Sequence, residues 1–101
     1  MAQSIAMLVL TRAQGMIVEK DCWLQGTWKA PRENGGYRRC AYQAVYDAAQ
    51  DLGLPASGAF KILMKVLGDG RRAAIKRLPV FNDGASHEEV LKLFELAIGD
   101  A

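Results

Sequence analysis

One histidine and two cysteines bound the chemistry open to this chain. His87 stands far downstream of Cys22 and Cys40, and the two thiols are eighteen positions apart, so no zinc-ligand spacing is present. The sequence also lacks a glycine-rich phosphate loop and a paired-carboxylate signature, which removes the usual entry points to nucleotide binding and acid–base hydrolysis. No stretch approaches the roughly 18 apolar residues of a membrane span. The short apolar run at residues 4–10 has no cation before it, so no secretory signal is expected. The expectation is a cytoplasmic protein with reduced thiols, no cofactor, no metal and no membrane partner. Segments of clean period-two alternation are missing as well, which points away from a β fold.

What remains is ordinary globular material. Of 101 residues, 50% are hydrophobic and 24% charged, enough for one modest core and too short for two domains. The net charge is only +2, but it is unevenly placed. Lys61, Lys65, Arg71, Arg72, Lys76 and Arg77 cluster against Asp69, whereas the last stretch carries Asp83, Glu88, Glu89, Glu95 and Asp100 against Lys92. Such a basic centre and acidic end make a dipolar surface.

Helical periodicity covers most of the chain. Residues 3–20 place Val9, Leu10, Ala13, Met16 and Ile17 on one stripe. Residues 21–36 hold Gly26, Pro31, Asn34, Gly35 and Gly36, which break regular structure, yet also Trp23 and Trp28. A loop with two indoles is expected to fold back over the core, each ring contributing about 2–3 kcal/mol when buried. Residues 37–52 read as the clearest helix, with a stripe of small side chains (Cys40, Ala41, Ala44, Val45, Ala48, Ala49) plus Leu52, stopped by Gly53. Its other face presents Tyr42 and Tyr46, four apart, as a candidate contact surface.

Pro55 suits the first turn of a further helix bearing Ala59, Phe60, Leu63, Met64 and Leu67. A short helix over 71–77 should end before Pro79, and Asn82-Asp83-Gly84 reads as a turn. Ser86 and Glu89 form a capping box ahead of the last helix, which should run to about Ile98. The expected architecture is all-α: a single domain over residues 1–101, four to five short helices, and an ordered tryptophan loop after the first.

Three functional readings compete. Residues 47–62 have helix-turn-helix grammar, with Ala49 four before Gly53, and the 61–77 cations suit phosphate contact. The leading positions of that second helix, Ala56, Ser57 and Gly58, offer little to read bases with. Cys40 at a helix start beside Arg38 and Arg39 is a candidate nucleophile with a lowered pKa, His87 being the one histidine available as base. The leading reading is a non-enzymatic binding protein acting through a protein partner, its contact residues drawn from Tyr42, Tyr46 and the basic cluster. The oligomeric state is left open.

Trp23-Leu24-Gln25-Gly26, Cys40-Ala41-Tyr42-Gln43-Ala44, Phe81-Asn82-Asp83 and the segment from Ser86 to Leu91 occur in that order. This pattern resembles a family of small proteins of actinobacteria and bacteriophages known only as a domain of unknown function, whose members show W-x-Q-G, C-A-x-G-A and W-N-D segments. The resemblance spans about residues 8–98, with Gln43 where the family has glycine and Phe81 where it has tryptophan. It implies a helical fold and a bacterial or phage origin, and it implies no reaction. A protein of that origin would fit an inhibitor of a host defence or regulatory complex. Physically, Trp23 and Phe81 would seal opposite ends of the core, and Gln25 and Gly26 would fix the loop's path. Asn82 or Asp83 would accept backbone N–H groups at the start of a neighbouring helix. A pocket around Trp23, Cys40 and Asn82 is the site these motifs would build for a small ligand.

Overall fold

The computed structural model describes residues 4–68 and 74–101, with side chains described from residue 77 onward in the second stretch. Among these residues the chain forms five helices: α1 (Ile5–Ile17), α2 (Ala41–Leu52), α3 (Ser57–Val66), α4 (Ala74–Gly84) and α5 (His87–Asp100). A two-stranded antiparallel hairpin, β1 (Lys29–Pro31) and β2 (Tyr37–Arg39), lies between α1 and α2. The fold is therefore mostly helical, as the periodicity predicts, with one small sheet that the alternation test does not find.

α1 is the central element. Its hydroxyl cap, Ser4, accepts from the Met7 N–H at 3.0 Å, and Val9, Leu10, Ala13 and Ile17 are fully buried. It packs against α2, α3 and α5. The closest partner is α2, because Ala41, Ala44, Val45, Ala48 and Ala49 present so little volume that the two backbones can approach. Gly53 takes φ 65° and returns its N–H to the end of α2, the left-handed cap expected of it. Leu52 lies outside the buried stripe and is exposed. The Ser86 capping box is formed in both directions, with Ser86 Oγ accepting from the Glu89 N–H at 3.1 Å and Glu89 Oε1 from the Ser86 N–H at 2.9 Å.

Three boundaries differ from the sequence reading. Residues 37–39 are a strand rather than the first turn of α2. Cys40 is the N-cap, and the hairpin takes up the backbone before it, turning through Gly35 (φ 94°) and Gly36 (φ 72°). Pro55 precedes α3 instead of opening it, the cap being Ala56.

The largest difference is α4, which passes straight through Pro79 and takes in Asn82, Asp83 and Gly84. Pro79 gives up one N–H, but Leu78 and Asn82, four apart, are both fully buried, and this packing outweighs the lost bond. The start of the expected 71–77 helix, including Arg71 and Arg72, lies outside the described residues, as does the side chain of Lys76.

Candidate functional site

The motif residues, separated by up to sixty positions, meet where the tryptophan loop crosses α4 and the start of α2. Asn82 is the hub. Its Oδ1 accepts from the Trp23 indole N–H at 2.7 Å and from the Ala41 backbone N–H at 3.0 Å, while its Nδ2 donates to the Leu24 carbonyl at 2.9 Å. Nδ2 also donates, at 3.4 Å, to Asp83 Oδ1, so the amide both accepts and donates here and a carboxylate, which only accepts, could not replace it. The Ala41 N–H is one of the orphan donors in the first turn of α2, and Asn82 satisfies it from across the fold.

Gln25 performs the reciprocal task at the end of α4. The two hydrogens of its Nε2 are shared among the carbonyls of Asn82 (3.1 Å), Asp83 (3.1 Å) and Ala85 (2.8 Å), groups that a helix terminus leaves unpaired. Asp83 Oδ1 in turn accepts from the Gly26 N–H at 2.8 Å. Gly26 sits at φ 83°, where a side chain would be strained, so glycine is required for the loop to reach that carboxylate. The expectation that Asn82 or Asp83 would satisfy a neighbouring helix start is met by Asn82, and Gln25 and Gly26 do fix the loop. Trp23 and Phe81 both pack, partly buried, against the core.

The two groups considered for thiol chemistry are placed differently from the activated pair the sequence suggests. Cys40 is buried, and its Sγ accepts from the Gln43 N–H at 3.4 Å as the α2 cap. Burial pushes the Cys40 thiol above its ordinary pKa, the opposite of the lowering a helix start was expected to give. His87 is half-buried with its ring 5.3 Å from that of Trp23, and its Nε2 lies 2.7 Å from the Ile17 carbonyl. A carbonyl only accepts, so Nε2 carries the hydrogen and is committed to α1.

A second constellation fastens the hairpin to α2. Asp47 accepts from Arg39 Nε at 2.6 Å and Gln43 Nε2 at 2.9 Å, and Lys29 Nζ lies 3.0 Å away. Burial pushes the Asp47 carboxyl up, but hydrogen bonds from Arg39, Lys29 and Gln43 outweigh this and hold its pKa below the usual aspartate value. Gln43 thus holds Asp47 through its side-chain amide, a local role that glycine could not supply. Rings line the same seam: Trp28 meets Tyr42 edge-on at 5.0 Å, Tyr42 stacks on Phe60 at 4.7 Å, and Lys29 Nζ lies 4.4 Å from the Tyr37 ring centre. Tyr42 is consequently half-buried, while Tyr46, one turn on, stays exposed. Trp28 does not sink into the core as expected. Tyr37 went unnoticed as a surface ring because residues 37–39 read as helix.

The basic cluster is only partly gathered. Lys61 and Lys65 are exposed on α3, Lys65 with its Nζ 3.2 Å from Asp100, and Arg77 is half-buried on α4. The leading end of α3 is packed on α1, since a Cβ added at Gly58 would lie 3.6 Å from Ala6 Cβ. Among the described residues no group of three His, Cys, Asp or Glu side chains could hold a metal ion, and no helix is long and apolar enough to cross a membrane.

Fold and site together define a small helical domain whose ends are tied by a Trp–Gln–Gly loop, a Cys-capped helix and an Asn–Asp helix terminus. The chain belongs to the Family of unknown function (DUF6197), whose model matches residues 1–100. No curated protein and no solved structure matches it.

Proposed function

We propose that this is a non-enzymatic binding protein of bacterial or phage cytoplasm that engages a protein partner through the seam between the hairpin and α2. One observation carries the reading. The chain has eight aromatic residues, and the three with exposed rings are Trp28 (42%), which directly precedes β1, Tyr37 (47%), which opens β2, and Tyr46 (45%), one turn beyond Tyr42 on α2. Tryptophan, tyrosine and arginine are the residues that dominate binding energy at protein interfaces, and Arg38, the next residue of β2, is exposed as well. The hairpin is a poor template for adding a strand, since β1 carries Lys29 and Pro31, two residues that guard strand edges. Recognition would therefore run through side chains. Inhibition of a host defence or regulatory complex is a role of this kind.

Nucleic acid binding draws less support from the geometry, because Gly58 in the first turn of α3 packs against Ala6 of α1 and leaves Ser57 as the exposed polar side chain there. A thiol enzyme draws less still, from a thiol held in its protonated form and a histidine bonded elsewhere.

The test is affinity co-purification from a bacterial host lysate with the wild type and with a Tyr37→Ala/Tyr46→Ala variant, quantified by mass spectrometry. Both tyrosines are solvent-facing, so unchanged circular dichroism is expected. A protein retained by the wild type and lost by the variant supports the seam. Identical capture sets would sink it. Salt-sensitive binding of labelled duplex DNA in a parallel anisotropy titration would put nucleic acid in the partner's place.

A further inference from the structure

Beside the seam, where the tryptophan loop passes between α2 and α4, lies an open cavity of about 200 Å³. Gly26, Thr27, Trp28, Cys40, Pro79 and Asp83 line it. Sites for drug-sized molecules occupy about 300–1,000 Å³, so this one is matched to a single side chain rather than to a metabolite.

Its one charged wall is Asp83. Asp21, Asp47, Asp51 and Asp100 each have a cation within 3.3 Å, whereas Asp83 has none among the described residues. Its Oδ1 is fixed by the Gly26 N–H, and no donor to its second oxygen is found among those residues. Trp28, whose indole is an aromatic surface of the kind that attracts cations, also lines the cavity, and Pro79 supplies an apolar flank suited to a methylene stem.

We infer that this cavity receives a cationic side chain, a lysine or arginine, presented by the protein partner. The inference rests on the binding-protein reading and specifies what the partner must carry: a basic residue placed to enter beside Trp28 while its neighbours cover the tyrosines. Asp83 then has two separable roles. One oxygen holds the loop through Gly26, and the carboxylate charge selects the ligand.

The probe is N-acetyl-lysine methylamide, titrated into the ¹⁵N-labelled full chain, with N-acetyl-norleucine methylamide as its neutral counterpart. Saturable shifts of the Gly26 and Thr27 amides and the Trp28 indole N–H are expected with the lysine probe alone. Asp83→Asn keeps an oxygen for the Gly26 N–H and removes the charge, so it should leave the spectrum folded and weaken binding by about tenfold or more. Equal shifts with the neutral probe, undiminished binding in Asp83→Asn, or no shift at all would each overturn the inference. Neither Tyr37 nor Tyr46 lines the cavity. Failure here with partner capture still lost in the tyrosine variant removes the pocket and leaves the seam.

Discussion

Below α2, the contact with α1 is made of alanines, Val45, Val9, Leu10, Ala13 and Ile17, apolar groups whose burial is non-directional. Above it, residues 23–39 are held by specific polar atoms: the Asn82 amide, the Gln25 amide, the Asp83 and Asp47 carboxylates and their partners. The first arrangement tolerates change of shape at modest cost, provided volume is kept. The second does not, because Asn82 is fully buried and its amide answers the Trp23 indole, the Ala41 N–H and the Leu24 carbonyl at fixed positions. The helical body thus supplies the general stability, and the polar ties decide where Trp28, Tyr37 and the Asp83 cavity are held.

The sharpest way to break this contrast is Asn82→Ala. The substitution leaves the Trp23 indole N–H, the Ala41 N–H and the Leu24 carbonyl without their partner, and an unsatisfied buried group costs about 1–3 kcal/mol. A loss of about 3 kcal/mol in urea unfolding is expected, as large as truncating a core leucine and a sizeable part of the stability of a domain this small. Amides of residues 23–39 and of the first turn of α2 should lose exchange protection before those of α1 and α5. A loss below about 1 kcal/mol would mean that the hub is ornamental to the fold.

Trp23→Phe probes the same tie more gently. The ring is kept and the indole N–H removed, so no donor is stranded and Asn82 Oδ1 retains the Ala41 N–H. A cost of about 1 kcal/mol is expected, read as a small drop in the urea midpoint with faster exchange confined to the loop and hairpin. Uniformly faster exchange through α1 and α5 would show that the loop and the helical body are one cooperative unit.

Comparison of the two regions also explains what could be read from the sequence. The helices came from periodicity, and the Ser86 capping box and the Gly53 stop came from local chemistry, because each depends on residues within one turn of each other. The meeting of Trp23, Gln25, Gly26, Asn82 and Asp83 was legible as a set of motifs, but their roles were fixed only by contacts about sixty residues apart. The same non-local contacts caused the misreadings. Asn82 looked like a turn because asparagine beside Asp83-Gly84 usually is one, yet Gln25 caps that segment as helix. Residues 37–39 looked helical because the small-residue stripe could be extended backwards, and nothing local announced the pairing with β1. Nothing local marks Asp47 as a tie, since its partners Lys29 and Arg39 reach it only once the hairpin has formed.

The tie between the hairpin and α2 is the one that pH can address. Asp47 has a folded-state pKa below that of the unfolded chain, so the stability it adds is fully present above the ordinary aspartate value of 3.8 and is lost as pH falls through the lower folded value. Partly exposed pairs of this kind contribute at most about 1 kcal/mol each, so the change should be small and local. Lowering the pH from neutrality to about 2.5 should destabilise the wild type more than Asp47→Asn, whose amide does not titrate. The hairpin amides should report it first, through faster exchange at residues 29–39 with α1 unaffected. If the variant and the wild type lose stability in parallel across that range, Asp47 is not the group that holds the hairpin, and the seam is positioned by the Trp28–Tyr42–Phe60 stack instead.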